Sequence, residues 1–295
     1  MTNSAHIKTN LDILKERLKQ SLQLDLDDFV LETNNAHEYT SKFVGINLKS
    51  EFQPIYDVQN GELHGYEAIL KPSLSDIQEA TADFAYSYAK ASGKLVKFDR
   101  ICRALHVLNY HHAFQEKGLL FLTVHPDLLI SVTEHGKVFE RILHAYALPT
   151  ERVVIQIRDY STTEQNENLI TYERQLASAI ENYHERGYKI AIDFFGNEHS
   201  LVSRLWKLSP DYLKLNPALI EESVENIRLK KSLMHLANLA KDLGAFPVAT
   251  GVETLRGLQL AVELGITYVQ GNYLSQASST TKFKSSELIQ QRWQV

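Results

Sequence analysis

Ile7, Leu11, Leu14, Leu18 and Leu22 recur at steps of 4, 3, 4 and 4, the spacing that aligns side chains on one face of an α-helix. Lys8, Lys15, Glu16, Arg17 and Lys19 fall mostly off that face. The pattern predicts an amphipathic helix over residues 6–23. Its narrow leucine stripe has two uses: packing on its own domain, or, as in a short heptad seam, meeting a partner or a second copy. Asp25-Leu26-Asp27-Asp28 and the polar stretch 32–41 read as a connector.

A different rhythm starts near Leu48. Residues 51–57 and 62–70 are strand-like runs on either side of Asn60-Gly61, a strong hairpin signal. Further strand candidates follow at 119–124, 153–157, 188–192, 212–215, 246–249 and 267–269, and the intervening stretches, such as 98–115 and 221–243, have helical periodicity. Repeated strand–helix units imply a parallel sheet, and with the hairpin the strands reach the number that closes a (β/α)8 barrel. The predicted fold class is therefore α/β: a modified (β/α)8 TIM-like barrel with an antiparallel first strand pair over residues 46–295. An N-terminal helical extension and connector occupies residues 1–45. The alternative, an open doubly wound sheet, lacks a Gly-x-Gly-x-x-Gly turn or a P-loop to support it.

Composition narrows the chemistry. The 295 residues carry 31 basic and 36 acidic side chains, a net charge of −5, spread along the chain, which speaks against direct nucleic-acid binding. The single cysteine, Cys102, excludes an internal disulfide and a Cys-based zinc site; beside Ile101 and Leu105 it reads as a core thiol. His111 and His112 are adjacent on a helix, point apart and form no chelate. The opening residues lack the basic-then-apolar pattern of a signal peptide, and no apolar run approaches the roughly 20 residues of a membrane helix. The expectation is a cytoplasmic protein with no membrane association.

Barrels of this kind place their chemistry where strands run into loops on the carboxyl-terminal face. Those positions hold Glu67, His125, Gln156, Asp193, Lys214, Thr250 and Gln270, with Glu253 just beyond. A ring of polar side chains there predicts a pocket for a polar or phosphorylated ligand. Each member also has a plain structural use: Glu67 as a loop cap, Lys214 as the partner of Asp193, Gln270 as a bond to backbone groups. His125 with Glu67 and Asp193 is a conceivable transition-metal set, and Lys214 a conceivable Schiff-base lysine.

Six ordered segments sharpen this picture. They are Phe52-Gln53-Pro54-Ile55-Tyr56-Asp57, Gly65-Tyr66-Glu67-Ala68-Ile69-Leu70-Lys71 and Ile190-Ala191-Ile192-Asp193-Phe194-Phe195-Gly196, then Leu213-Lys214-Leu215-Asn216, Thr250-Gly251-Val252-Glu253-Thr254 and Tyr268-Val269-Gln270-Gly271-Asn272-Tyr273. In order and spacing, residues 48–277 resemble EAL domains, the bacterial phosphodiesterases that hydrolyse cyclic di-GMP. The resemblance implies two-metal hydrolysis, in which hard divalent ions held by anionic oxygens polarise the phosphoryl group and generate hydroxide. It also implies roles for individual residues. Glu67 matches the signature glutamate, Asp193 the first of two paired aspartates and Lys214 the active-site lysine. Glu253 and Gln270 match the second glutamate of the seventh-strand motif and the strand-eight glutamine. Gln53 and Lys71 take the places of the nucleotide-contacting glutamine and arginine.

Other positions depart from the family pattern. His125 replaces a ligating asparagine, Gln156 a ligating glutamate, and Phe194 the second aspartate. Thr250 stands where the family has its general base. Asn216 replaces an aspartate, and Asp159 a loop-organising glutamate. Gln156 removes a negative charge, Phe194 ligates nothing, and Thr250 has no proton-accepting group near neutrality. Loss of a general base alone costs a factor of roughly 10² to 10⁴.

The sequence therefore predicts a catalytically inactive regulatory protein that works by protein–protein interaction with a regulatory partner. The alternative is a non-hydrolysing cyclic di-GMP receptor using Gln53, Glu67, Lys71, Asp193, Lys214, Glu253 and Gln270, although Lys71, Phe194 and the end Gln276-Ala277 all weaken that recognition. A residual phosphodiesterase is the third reading, and only it calls for Mg²⁺ or Mn²⁺; otherwise no cofactor is expected. The resemblance also allows a homodimer.

Overall fold

A computed structural model describes residue 16 and residues 30–33, 38–75, 77–114, 118–125, 128–129, 135–158, 169–196 and 200–279. Apart from Glu16, the predicted helix at 6–23 lies outside the described residues, as do Asp25-Leu26-Asp27-Asp28 and Asp159. In chain order the elements are β1 (Val30–Thr33), β2 (Tyr39–Phe43), β3 (Ile46–Asp57), β4 (Leu63–Ser75), β5 (Gln78–Glu79), α1 (Ala82–Ala91), α2 (Leu95–Phe114), β6 (Leu119–Thr123) and α3 (His135–Ala145). They continue with β7 (Val153–Arg158), α4 (Leu169–Glu185), β8 (Lys189–Phe195), α5 (Ser203–Leu208), β9 (Tyr212–Leu215), α6 (Pro217–Ser223), α7 (Ile227–Asp242), β10 (Phe246–Ala249), α8 (Leu255–Glu263) and β11 (Tyr268–Val269).

The chain divides into two units. One comprises residues 1–50, 70–115 and 137–148, the other 51–69, 116–136 and 149–295.

The second unit is the barrel. Its strands neighbour one another in the order β3-β11-β10-β9-β8-β7-β6-β4, and pairing of β3 with β4 closes the circle. β3 runs antiparallel to β11, whereas β4 is parallel to β6 and every later neighbour is parallel. β3 and β4 are therefore antiparallel to each other. The turn between them is the one Asn60-Gly61 predicts: Gly61 takes φ 69°, its N–H donates to Asp57 O at 3.0 Å, and Asp57 N–H donates to Glu62 O at 2.8 Å. Strands such as Val153–Arg158 are near-continuous apolar runs because a parallel strand is covered on both faces. Ile55, Phe121, Val154, Ala191, Tyr212 and Val248 pack inside, with Leu119 and Tyr268 against them. Near the amino-terminal strand ends, His64 stacks on Tyr268 at 3.8 Å between centroids and its Nε2 lies 3.0 Å from Tyr212 Oη. Burial pushes His64 down to about 4.

In the first unit β1, β2 and the start of β3 form an antiparallel meander. Helix α2 is buried on nearly all sides from Phe98 to Tyr110. Its polar residues are placed accordingly. Asn109 pairs with both backbone groups of Tyr39, accepting from N–H and donating to the carbonyl, each at 2.9 Å. Arg103 meets Asp99 at 2.6 Å, and His106 Nδ1 lies 2.8 Å from Ser50 Oγ. Cys102 is a buried free thiol.

The structure corrects several sequence readings. Part of the polar stretch 32–41 is strand, within β1 and β2; only Leu31, Ser41 and Phe43 of those two strands are buried, so the hydrophobic alternation is too sparse to read. Both hairpin strands run longer than expected. The helix expected at 221–243 is two, divided where the Asn226 side chain accepts from the N–H groups of Arg228 and Leu229 as the cap of α7. His111 and His112 lie in the last turn of α2 rather than mid-helix. Among the described residues, no helix is long and apolar enough to cross a membrane.

Candidate functional site

Successive barrel strands bring four predicted residues into one hydrogen-bonded cluster: Glu67 from β4, Gln156 from β7, Asp193 from β8 and Lys214 from β9. Lys214 Nζ donates to Glu67 Oε2 at 2.7 Å and to Gln156 Oε1 at 2.8 Å, and stands 3.8 Å from Asp193 Oδ1. Gln156 Nε2 donates to Glu67 Oε1 at 2.8 Å and to Asp193 Oδ2 at 3.0 Å, with Thr123 Oγ1 at 3.3 Å. Gln270, the first residue after β11, donates from Nε2 to Glu67 Oε2 at 2.6 Å and to Gln53 Oε1 at 3.1 Å. Glu67 does not cap a loop, and its β4 strand continues past it to Ser75. Lys214 takes Glu67, not Asp193, as its near partner.

Charge is shared unequally between the two carboxylates. Burial pushes Glu67 up, but the Lys214 ammonium and the bonds from Lys214, Gln156 and Gln270 outweigh it and hold Glu67 below the ordinary glutamate range. Asp193 goes the other way. Burial and the neighbouring Glu67 charge raise it, against the opposing pull of Lys214 and Arg158. Glu67 is thus the carboxylate that the cluster is built to keep ionised.

The rim is built by the loops after β10 and β11. Glu253 is exposed and accepts from Asn272 Nδ2 at 3.0 Å; Asn272 Oδ1 in turn accepts from Gln53 Nε2 at 3.2 Å. Gln53 Nε2 also lies 3.2 Å from Ser275 O. The two loops interlock, since Val252 N–H donates to Gln270 O at 3.1 Å and a Cβ on Gly271 would collide with the Val252 backbone. Thr250 is buried, with its hydroxyl donating to Leu215 O at 2.5 Å. Gln270 Oε1 is buried with no hydrogen-bond partner. Lys71 is exposed on β4.

His125 lies two residues beyond β6, and the set His125, Glu67 and Asp193 does not assemble. Among the described residues no group of three or more His, Cys, Asp or Glu side chains could hold a metal ion. The donor set around Glu67 does not fit a pair of hard divalent ions. Two carboxylates face an ammonium, the amide presents its N–H to both, and Phe194 offers no oxygen. Two participants escaped the sequence reading. Asn272 was quoted only within a motif. Arg158, two residues after Gln156, shares its strand face by the period of two and could have been found on that ground.

A closed barrel with convergent polar side chains at the carboxyl ends of its parallel strands defines a (β/α)8-type ligand-site protein. Comparison with known proteins carries this to the family: the EAL domain model matches residues 39–277, and the chain belongs to that family. Among relatives, the uncharacterized EAL-domain containing protein YkuI of Bacillus subtilis (strain 168) is 27% identical over 245 residues, 82% of this chain and 57% of that protein. The probable cyclic di-GMP phosphodiesterase PdeB of Escherichia coli (strain K12) is 26% identical over 236 residues, 77% of this chain and 42% of that protein. The chain thus spans less than two thirds of either relative's length. A solved structure of the Bacillus subtilis YkuI protein in complex with cyclic di-GMP and calcium matches with TM-score 0.67 at 24% identity, covering 97% of this chain and 62% of that one. The PaMucR phosphodiesterase complex with cyclic di-GMP matches with TM-score 0.66 at 19% identity, covering 92% and 99%. These likenesses establish the barrel fold.

Proposed function

We propose that this chain is a regulatory EAL domain that does not hydrolyse cyclic di-GMP and acts through contact with another protein. One observation carries the reading: the Gln156 amide nitrogen donates to both Glu67 and Asp193 while Lys214 occupies the space between them. A cation-binding centre needs those oxygens bare and their charges uncompensated. Here an amide and an ammonium already perform the neutralisation. Thr250, whose hydroxyl is spent on Leu215 O, has no group to take a proton from water. A domain without bond-breaking chemistry acts only by what it binds.

Gln53 favours a second reading, a receptor for the nucleotide. Its side chain is tied to Gln270, Asn272 and Ser275, so it is held at the rim in a fixed pose. The related structures that contain cyclic di-GMP support the same ligand class for this chain.

The test is a calorimetric titration with cyclic di-GMP, in Mg²⁺ and then in EDTA, followed by analysis for linear product. No product in either buffer is expected, and turnover in Mg²⁺ would overturn the proposal. Heat in EDTA without product supports the receptor reading. No heat leaves protein contact as the mode of action. The combined change Gln156→Glu, Phe194→Asp and Thr250→Glu should restore divalent-ion binding.

A further inference from the structure

Arg158 and Phe194 form a pair for which the cluster above has no use. Arg158 is the last residue of β7 and is laddered opposite Asp193 on β8. Paired residues of a parallel ladder present their side chains on one face, as do residues two apart along a strand. Gln156 and Asp193 meet on the inner face, so Arg158 occupies that face one step nearer the mouth. Its guanidinium carbon lies 4.4 Å from the centroid of the Phe194 ring, within cation–π range.

Phe194 adopts φ 60°, a left-handed conformation that bulky L-residues rarely take. The β8–β9 register slips between Ile192 and Phe195, the mark of a bulge that re-aims a side chain. Such strain persists where the surroundings over-determine it, and it concentrates at ligand sites.

We propose that Arg158, braced on the Phe194 ring, is the phosphate-gripping cation of this site and binds a phosphodiester oxygen of cyclic di-GMP in place of a metal ion. The proposal rests on the receptor reading. Lys214 cannot serve, because it is fully buried with its ammonium committed to Glu67 and Gln156. Arg158 is only half-buried. A guanidinium that lays its face on an aromatic ring keeps its N–H edges for planar, forked contact with phosphate oxygens. The substitution of Phe194 for an aspartate then has a chemical logic: a residue that would hold a cation gives way to one that holds a cationic side chain. Arg158 also borders a shallow cleft with Tyr172, Leu176 and Arg204, which is the competing place for an anion.

Titration calorimetry with cyclic di-GMP in EDTA, on the full chain, tests the grip. Arg158→Ala should weaken binding by about tenfold or more, and Arg158→Lys, which keeps the charge without the fork, by less. Phe194→Leu should weaken it by removing the brace, and Gln53→Ala should weaken it at the opposite side of the mouth. Thermal unfolding of each variant verifies folding, and if Arg158→Ala does not fold, Arg158→Lys and Phe194→Leu carry the test. Unchanged affinity in the Arg158 variants, with loss in Gln53→Ala, overturns the grip and leaves the receptor reading standing. Loss in Arg158→Ala with none in Gln53→Ala puts the anion in the cleft and also overturns it. Absence of binding by the unaltered protein overturns both the grip and the receptor reading.

Discussion

Gln156 donates its amide hydrogen to Glu67 across 2.8 Å, joining side chains 89 positions apart in the chain. An acceptor–acceptor approach at that distance would be repulsive, so the amide is what makes the two groups compatible. Gln156→Glu should therefore destabilise the protein in EDTA by about 3 kcal/mol, since three buried carboxylates would share one ammonium. Added Mn²⁺ should recover part of the loss. Thermal unfolding with and without the ion reads both effects, and a variant as stable as its parent in EDTA would refute the bridging role.

Lys214 holds two carboxylates that have little access to water. Lys214→Met should cost about 3–5 kcal/mol at neutral pH by leaving those charges buried and unpaired. Its pH dependence should be inverted for Glu67. In the unaltered protein this group sits below its ordinary value, so its contribution is present above the unfolded pKa and is lost as pH falls through the folded one. Without Lys214, burial dominates, the folded pKa rises, and the variant gains stability on acidification. Urea unfolding at several pH values from the carboxylate range to neutrality distinguishes the two slopes.

Two histidines set a separate acid response. Burial pushes both His64 and His106 down from 6.5 to about 4, and each stays neutral in the folded state. Unfolded histidine takes its proton near 6.5, so stability is full above that value and falls as pH drops toward about 4. The slope is at most about 1.4 kcal/mol per pH unit for each residue. His64→Phe, which retains a ring against Tyr268, should remove its share of the slope. An unchanged slope would show that His64 is protonated in the native state.

Gly271 is where the two rim loops touch. Gly271→Ala would drive a methyl group into the Val252 backbone and push apart the loops that carry Gln270 and Glu253. A stability loss of about 2–4 kcal/mol is expected, of the size seen for strained backbone positions. Gly257→Ala, whose Cβ meets its neighbours at ordinary distances of 3.6 and 3.7 Å, is the matched control and should melt close to the parent.

Much of the barrel was legible because strand and helix periods are local properties. The six barrel strands after the hairpin fall where their apolar runs and turn residues place them, and Asn60-Gly61 marks the antiparallel pair. The elements that escaped are those whose signal is not local. β1 and β2 bury only Leu31, Ser41 and Phe43, and the apparent 221–243 helix is divided by a cap at Asn226 that periodicity runs straight through.

The same division holds at the site. Sequence alone determined which residue types stand at the strand ends: a glutamine and a phenylalanine at positions 156 and 194, a threonine at 250, and a lone lysine among carboxylates. Identity and spacing suffice for that, because strand register carries each side chain to the barrel mouth. Only the tertiary structure decided the pairings. Lys214 lies 2.7 Å from Glu67 and 3.8 Å from Asp193, the Gln156 amide faces both carboxylates, and Phe194 bends into φ 60° under Arg158. These choices depend on rotamers and on packing between strands distant in the chain, where differences of an ångström change which charge is neutralised.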